Sequence, residues 1–159
     1  MAHARLSPAA ESSGRLVTMV RQKAEDVAVE RELPLILIDG APGIGCTAAA
    51  ALADVDMALI VTEPTLSGIH DMERVVELSG HFGVPVTVLI NKADLNAENA
   101  QRIGSYCIEN SIELIGALPY DESVTEAMAH QVPLVEYQDG PVTQGIRQAW
   151  NRLSQMLSA

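Results

Sequence analysis

Apolar residues in this chain gather into short unbroken runs, separated by longer segments whose apolar positions recur at helical spacing. Four runs, at residues 35–39, 57–62, 86–91 and 112–118, have the length of a buried strand. Each ends in Gly, Pro or a polar turn and leads into a helical pattern. The predicted helices cover about 47–53, 68–82, 97–110 and 123–130. A further helix starts at Ser12 or Ser13 and runs to about Glu32, with Leu16, Met19, Val20, Ala24, Val27 and Ala28 along one side. A last helix, 142–157, places Ile146, Ala149, Trp150, Leu153 and Met156 on its apolar stripe. Strand alternating with helix, with strands apolar on both faces, predicts parallel βαβ units. The expected fold is α/β: a mostly parallel sheet of about four strands flanked by helices. Residues 1–13 lack periodicity and read as a flexible N-terminal segment, with one α/β domain over 14–159.

Composition narrows the class. The 159 residues fit one domain, and 48% are hydrophobic while only 3% are aromatic, so aliphatic side chains must fill the core. The formal net charge of -11 repels nucleic acid and anionic lipid. No apolar run is long enough for a membrane span. Cys46 and Cys107 form neither a CxxC pair nor a zinc spacing. These features point to a cytoplasmic protein with reduced thiols.

In an open parallel sheet, ligands bind beyond the carboxyl ends of the strands. Asp39, Glu63, Asn91, Lys92, Asp94, Pro119, Tyr120 and Asp121 all fall at predicted strand ends. Asp39 opens Asp39-Gly40-Ala41-Pro42-Gly43. It is either an acid that holds Mg²⁺ at the sheet rim, with the glycines beside a γ-phosphate, or the cap of the next helix. Asn91-Lys92-Ala93-Asp94 is either a base-reading loop or a polar turn before the helix near Ala97. In the first case the Asn amide meets a purine edge, the Lys stem covers the ring and the acid accepts from a ring N–H. Glu63 either reaches the phosphate region or a partner, or helps Thr65 cap the following helix. Pro119 and Tyr120 either wall a base pocket or form a plain turn.

Taken together, residues 35–96, with D-G-A-P-G and N-K-A-D at two strand ends, strongly resemble the MinD/ParA-type P-loop ATPases. The similarity is greatest to the branch with an inserted ferredoxin domain, the Mrp-like iron–sulfur carriers. It continues through I-G-A-L-P-Y-D-E-S-V-T-E-A-M at 115–128 and V-P-L-V-E-Y at 132–137. The resemblance implies ATP and Mg²⁺ as ligands. Asp39 becomes the Mg²⁺- and water-side acid, Gly43 part of the γ-phosphate loop, Asn91 the adenine contact, and Pro119 and Tyr120 the base-side loop.

Two departures stand out. Ala41 occupies the place of the family's usual first proline, and the sequence contains no Gly-rich phosphate loop bearing lysine and Ser/Thr. The ferredoxin cysteines are absent too, so no iron–sulfur cluster is expected in this chain. The expectation is a truncated ATPase domain with residual or partner-completed ATP binding, inactive in hydrolysis as an isolated chain. Its partner is a second copy or a polypeptide that supplies the phosphate-loop half. The alternative is a non-enzymatic interaction domain that kept the fold and lost the ligand.

Overall fold

The computed structural model describes residues 1–3 and 14–158. The flexible segment expected over 1–13, and the Ser12 or Ser13 cap, fall largely outside the described residues. Among the described residues three strands and seven α-helices follow in order: α1 (Gly14–Glu30), α2 (Cys46–Leu52), β1 (Ala58–Thr62), α3 (Leu66–Phe82), β2 (Val86–Ile90), α4 (Ala97–Glu109), β3 (Glu113–Ala117), α5 (Glu122–Ala129), α6 (Leu134–Tyr137) and α7 (Pro141–Leu157). A single 3₁₀ turn, Ala93–Leu95, precedes α4. The chain divides into two compact units. Met1–Val55 with Arg74–Val84 form the first, and Asp56–Glu73 with Pro85–Ala159 form the second, so α3 belongs in part to each.

The second unit is a three-stranded parallel sheet, ordered β1-β2-β3. β2 is buried on both faces, as a central parallel strand should be. Val88 and Ile90 join Ile69 and Met72 of α3 and Ile103 and Cys107 of α4 in one cluster. Leu89, on the opposite face, joins Ile115, Leu118, Val142 and Ala149 in another. The register slips between Val88 and Leu89, which brings Gly116 opposite Leu89. A Cβ on Gly116 would meet Leu89 Cδ1 at 3.0 Å, so a larger residue there would require the end of the Leu89 side chain to shift by a few tenths of an ångström.

The α7 stripe differs from the sequence reading in one residue. Val142, Ala149 and Leu153 are buried and Ile146 and Met156 pack beside them, a run spaced by three and four residues. Trp150 lies one step off that run and is exposed.

In the first unit α1 and α2 approach closely. A Cβ on Gly14 would meet the Cys46 carbonyl oxygen at 2.7 Å, and Arg21 Nη1 donates to the Ala50 carbonyl at 2.8 Å. Met19, assigned to the apolar side of the first helix, is exposed.

The strand expected at 35–39 does not form. These residues carry no regular secondary structure, and Leu35, Ile36 and Leu37 are exposed, Leu37 at 79%. Among the described residues the sheet therefore has three strands, where about four are expected. A parallel strand is stable only when its N–H and C=O groups find a ladder. Among the described residues nothing pairs with 35–39, so an apolar sequence alone leaves it as loop.

Several helices end in the same way. Leu33 N–H donates to the Ala28 carbonyl, Val84 to Ser79, Ile112 to Cys107 and Val132 to Ala127. In each case the preceding residue is left-handed: Glu32, Gly83, Ser111 and Gln131. These are Schellman ends, and only one of them uses glycine.

Candidate functional site

The carboxyl ends of β1, β2 and β3 are tied to one another by a chain of short bonds within the second unit. Asn91 N–H donates to the Thr62 carbonyl at 2.7 Å, extending the β1–β2 ladder by one residue. Leu118 N–H donates to the Ile90 carbonyl at 2.7 Å, and Ala93 N–H donates back to the Leu118 carbonyl at 2.8 Å. Between these contacts Lys92 is left-handed, with φ 53° and ψ 45°. That conformation costs a non-glycine residue roughly 1–2 kcal/mol. The surrounding bonds hold it, and it turns the chain from β2 into the 3₁₀ turn.

The side chains of the N-K-x-D segment are unequally engaged. Lys92 Nζ lies 2.7 Å from Glu63 Oε1 at the end of β1. Both partners are partly exposed, which keeps the pair's stabilisation to about 0–1 kcal/mol. Asp94 Oδ1 accepts the Tyr120 N–H at 2.7 Å, beyond the end of β3. The Asn91 side chain is partly exposed and has no hydrogen-bond partner among the described residues. Pro119 and Tyr120 follow β3 directly, and the Tyr120 ring is exposed.

The helix caps in this region fall to other residues. Thr65 Oγ1 accepts the Gly68 N–H at 2.9 Å and caps α3. Asn96 Oδ1 accepts the Asn99 N–H at 2.9 Å and caps α4. Asp121 Oδ1 accepts the Ser123 N–H at 2.9 Å and caps α5. Hydrogen bonds from Ser123 hold the Asp121 carboxyl below its usual range. The Asn99 amide donates to the Pro64 carbonyl at 3.1 Å, which adds a tie between α4 and the β1 exit.

Asp39 and Gly43 belong to the first unit. Asp39 is exposed, and no other described side chain hydrogen-bonds or pairs with it. Gly43 is left-handed at φ 82°, with open space where a Cβ would stand. Among the described residues no three His, Cys, Asp or Glu gather to hold a metal ion. A single carboxylate fits a Mg²⁺ whose other ligands are phosphates and water, and does not make a metal site by itself.

The structure thus brings Asn91, Lys92, Asp94, Pro119 and Tyr120 to one rim of the second unit. Glu63 joins them there as the ion-pair partner of Lys92. The bond from Tyr120 to Asp94 carries no sequence signal, because it spans 26 residues and depends on loop register.

The fold is that of the MinD-type ATPases. The MinD cell division protein of Aquifex aeolicus matches with a TM-score of 0.72 at 23% identity, over 90% of this chain and 61% of that one. MinD of Pyrococcus horikoshii, solved with Mg-ADP, matches at 0.71 and 19% identity, over 91% of this chain and 58% of that one.

Sequence relatives come from Methanocaldococcus jannaschii. An uncharacterised protein is 26% identical over 145 residues, covering 91% of this chain and 47% of its own length. An uncharacterised ATP-binding protein is 28% identical over 131 residues, covering 79% and 48%. An iron–sulfur cluster carrier protein is 26% identical over 129 residues, covering 73% and 44%. The chain spans about half the length of these relatives. No protein-family model matches it.

Proposed function

We propose that this chain is the base-side portion of a cytoplasmic MinD/ParA-like ATPase, with ATP binding that is residual alone and completed by a phosphate loop that these 159 residues do not contain. The observation that carries the proposal is the free Asn91 amide, held beside the Pro119–Tyr120 exit on a MinD-type fold. An amide offers one donor edge and one acceptor, the pattern that an adenine edge requires. The ATP-binding relative and the Mg-ADP complex of a structural neighbour support the choice of ligand. Asp39 is the Mg²⁺-side acid and Gly43 part of the phosphate-sensing loop in this proposal, as the resemblance implies.

Hydrolysis is not expected from the chain alone. Phosphoryl transfer depends on positioning and charge stabilisation of the γ-phosphate, and these come largely from the backbone nest, lysine and hydroxyl of a phosphate loop. Calorimetry with Mg-ATP and Mg-ADP tests the binding claim. Weak binding that Asn91→Ala abolishes is expected. No heat at millimolar nucleotide, or binding indifferent to Asn91, contradicts it. Turnover by the purified chain at about 1 s⁻¹ or faster contradicts the hydrolysis claim.

A second reading is an interaction domain without nucleotide. The edge of β1 favours it: among the described residues this strand has a ladder on one side only, and Val61 is 57% exposed. Such an edge is a ready seat for an added strand, from a second copy or from another polypeptide. Light scattering of the purified chain distinguishes a self-associating edge from a monomer awaiting a partner.

A further inference from the structure

We infer that Asp94 is a positioning residue that sets the Pro119–Tyr120 loop, and not an acid that reads a base. An aspartate in an N-K-x-D segment serves a ligand only in an orientation that its existing bonds allow. Here Oδ1 accepts the Tyr120 N–H at 2.7 Å. The neighbouring bond from Ala93 N–H to the Leu118 carbonyl, at 2.8 Å, runs between the same two segments. The two contacts clamp the exit of β3 onto the exit of β2. The left-handed step at Lys92 precedes the clamp, and the Lys92 ammonium is directed to Glu63 at the opposite exit.

Of the three polar residues in the segment, two therefore bond to flanking strand ends, one on each side. Asn91 alone keeps its side chain free. The consequence for specificity rests on the nucleotide proposal above. Guanine offers a ring N–H and an exocyclic amine together, which a free carboxylate accepts as a pair. A carboxylate turned to hold the Tyr120 N–H through Oδ1 still has open acceptor sites, but it can present both oxygens to guanine only by competing with that bond. An Asn amide serves adenine without any charge nearby. The negative charge of Asp94 is then dispensable while its acceptor oxygen is not.

Two variants of the full chain separate these roles. Asp94→Asn keeps a carbonyl acceptor at the same reach, and Asp94→Ala removes it. The first readout is the Tyr120 amide in a ¹⁵N spectrum and its exchange rate, which need no nucleotide. Wild type and Asp94→Asn are expected to share a hydrogen-bonded Tyr120 amide. Asp94→Ala is expected to lose it, with exchange about tenfold faster or more. The second readout is affinity for ADP against GDP. Asp94→Asn is expected to leave the ADP preference within about twofold, and Asp94→Ala to weaken ADP about tenfold. A Tyr120 amide unmoved in Asp94→Ala overturns the inference. So does an Asp94→Asn variant that keeps the Tyr120 bond and loses or inverts base preference. If neither nucleotide binds any variant, the nucleotide proposal fails, and the Tyr120 amide still decides the role of Asp94.

Discussion

The two units handle similar apolar sequence in opposite ways. In the second, the run at β2 is buried on both faces between α3, α4 and α7. In the first, Leu35, Ile36 and Leu37 have the same character and remain exposed. The second unit draws on large aliphatic side chains such as Met72, Ile90 and Ile103. The buried apolar residues described in the first are Ala28, Ala48 and Val84, which are small or beta-branched. The lesson concerns partners more than composition. β2 has a neighbouring strand on each side, whereas 35–39 has none among the described residues. Apolar burial in a parallel sheet is cooperative across strands, so a run without a ladder gains little from its hydrophobicity.

The largest expected effect breaks the second unit's core. Ile103 is fully buried, and Ile103→Ala should cost about 2–5 kcal/mol in urea unfolding. Leu37→Ala should change stability by no more than about 0.5 kcal/mol. Equal costs for the two would erase the contrast between the units.

Gly68→Ala comes next. A Cβ there would collide with the Glu63 backbone carbonyl, a contact that cannot yield as a flexible side chain can. A loss of roughly 1–3 kcal/mol is expected. Because Glu63 pairs with Lys92, the Lys92 resonances should move with it.

Thr87→Val should act in the other direction. The Thr87 hydroxyl is buried in β2 with no partner among the described residues, and an orphaned polar group costs about 1–3 kcal/mol. A rise in unfolding midpoint is expected, and a fall would reveal a bond that the hydroxyl makes.

The cysteines sharpen the comparison chemically. Cys46 in the first unit is exposed and Cys107 in the second is buried. Burial pushes the Cys107 thiol above its ordinary value, so folding favours the neutral form. Its contribution to stability is complete below the unfolded-state value and is lost as pH rises through the folded one. A thiol reagent at neutral pH should label Cys46 quickly and Cys107 only as fast as the core opens. Asp121 has the opposite sign. Its carboxyl is held low by Ser123, so its cap on α5 is complete above the ordinary carboxylate range and lost as pH falls through the lowered value.

The smallest effect is Ser111→Gly. It relieves a left-handed non-glycine residue at the end of α4 and adds unfolded-chain entropy, for a net change within about 1 kcal/mol.

The parts of the molecule that depend on local period were legible in the sequence. β1, β2, β3 and the long helices lie within a few residues of the expected positions, because periodicity reports which face is buried. What depends on distant partners was not. Residues 35–39 look like a strand in isolation, and only the missing ladder explains why they are not one. Three of the Schellman ends use Glu32, Ser111 and Gln131, so no glycine marks where those helices stop. Trp150 sits beside the α7 stripe, and its hydrophobicity alone does not place it inside. At the rim, sequence located Asn91, Lys92 and Asp94 at a strand end. It did not reveal that Lys92 and Asp94 bond to Glu63 and Tyr120, since those pairings follow from how three loops meet.

The most direct test of the central claim follows the Asn91 side-chain amide by NMR while Mg-ADP is added. The account predicts that the Asn91 NH₂ resonances and the Tyr120 ring signals shift together and saturably, and that Mg-GDP at equal concentration moves them far less. Shifts absent from Asn91 and Tyr120, or equal for the two nucleotides, would contradict it.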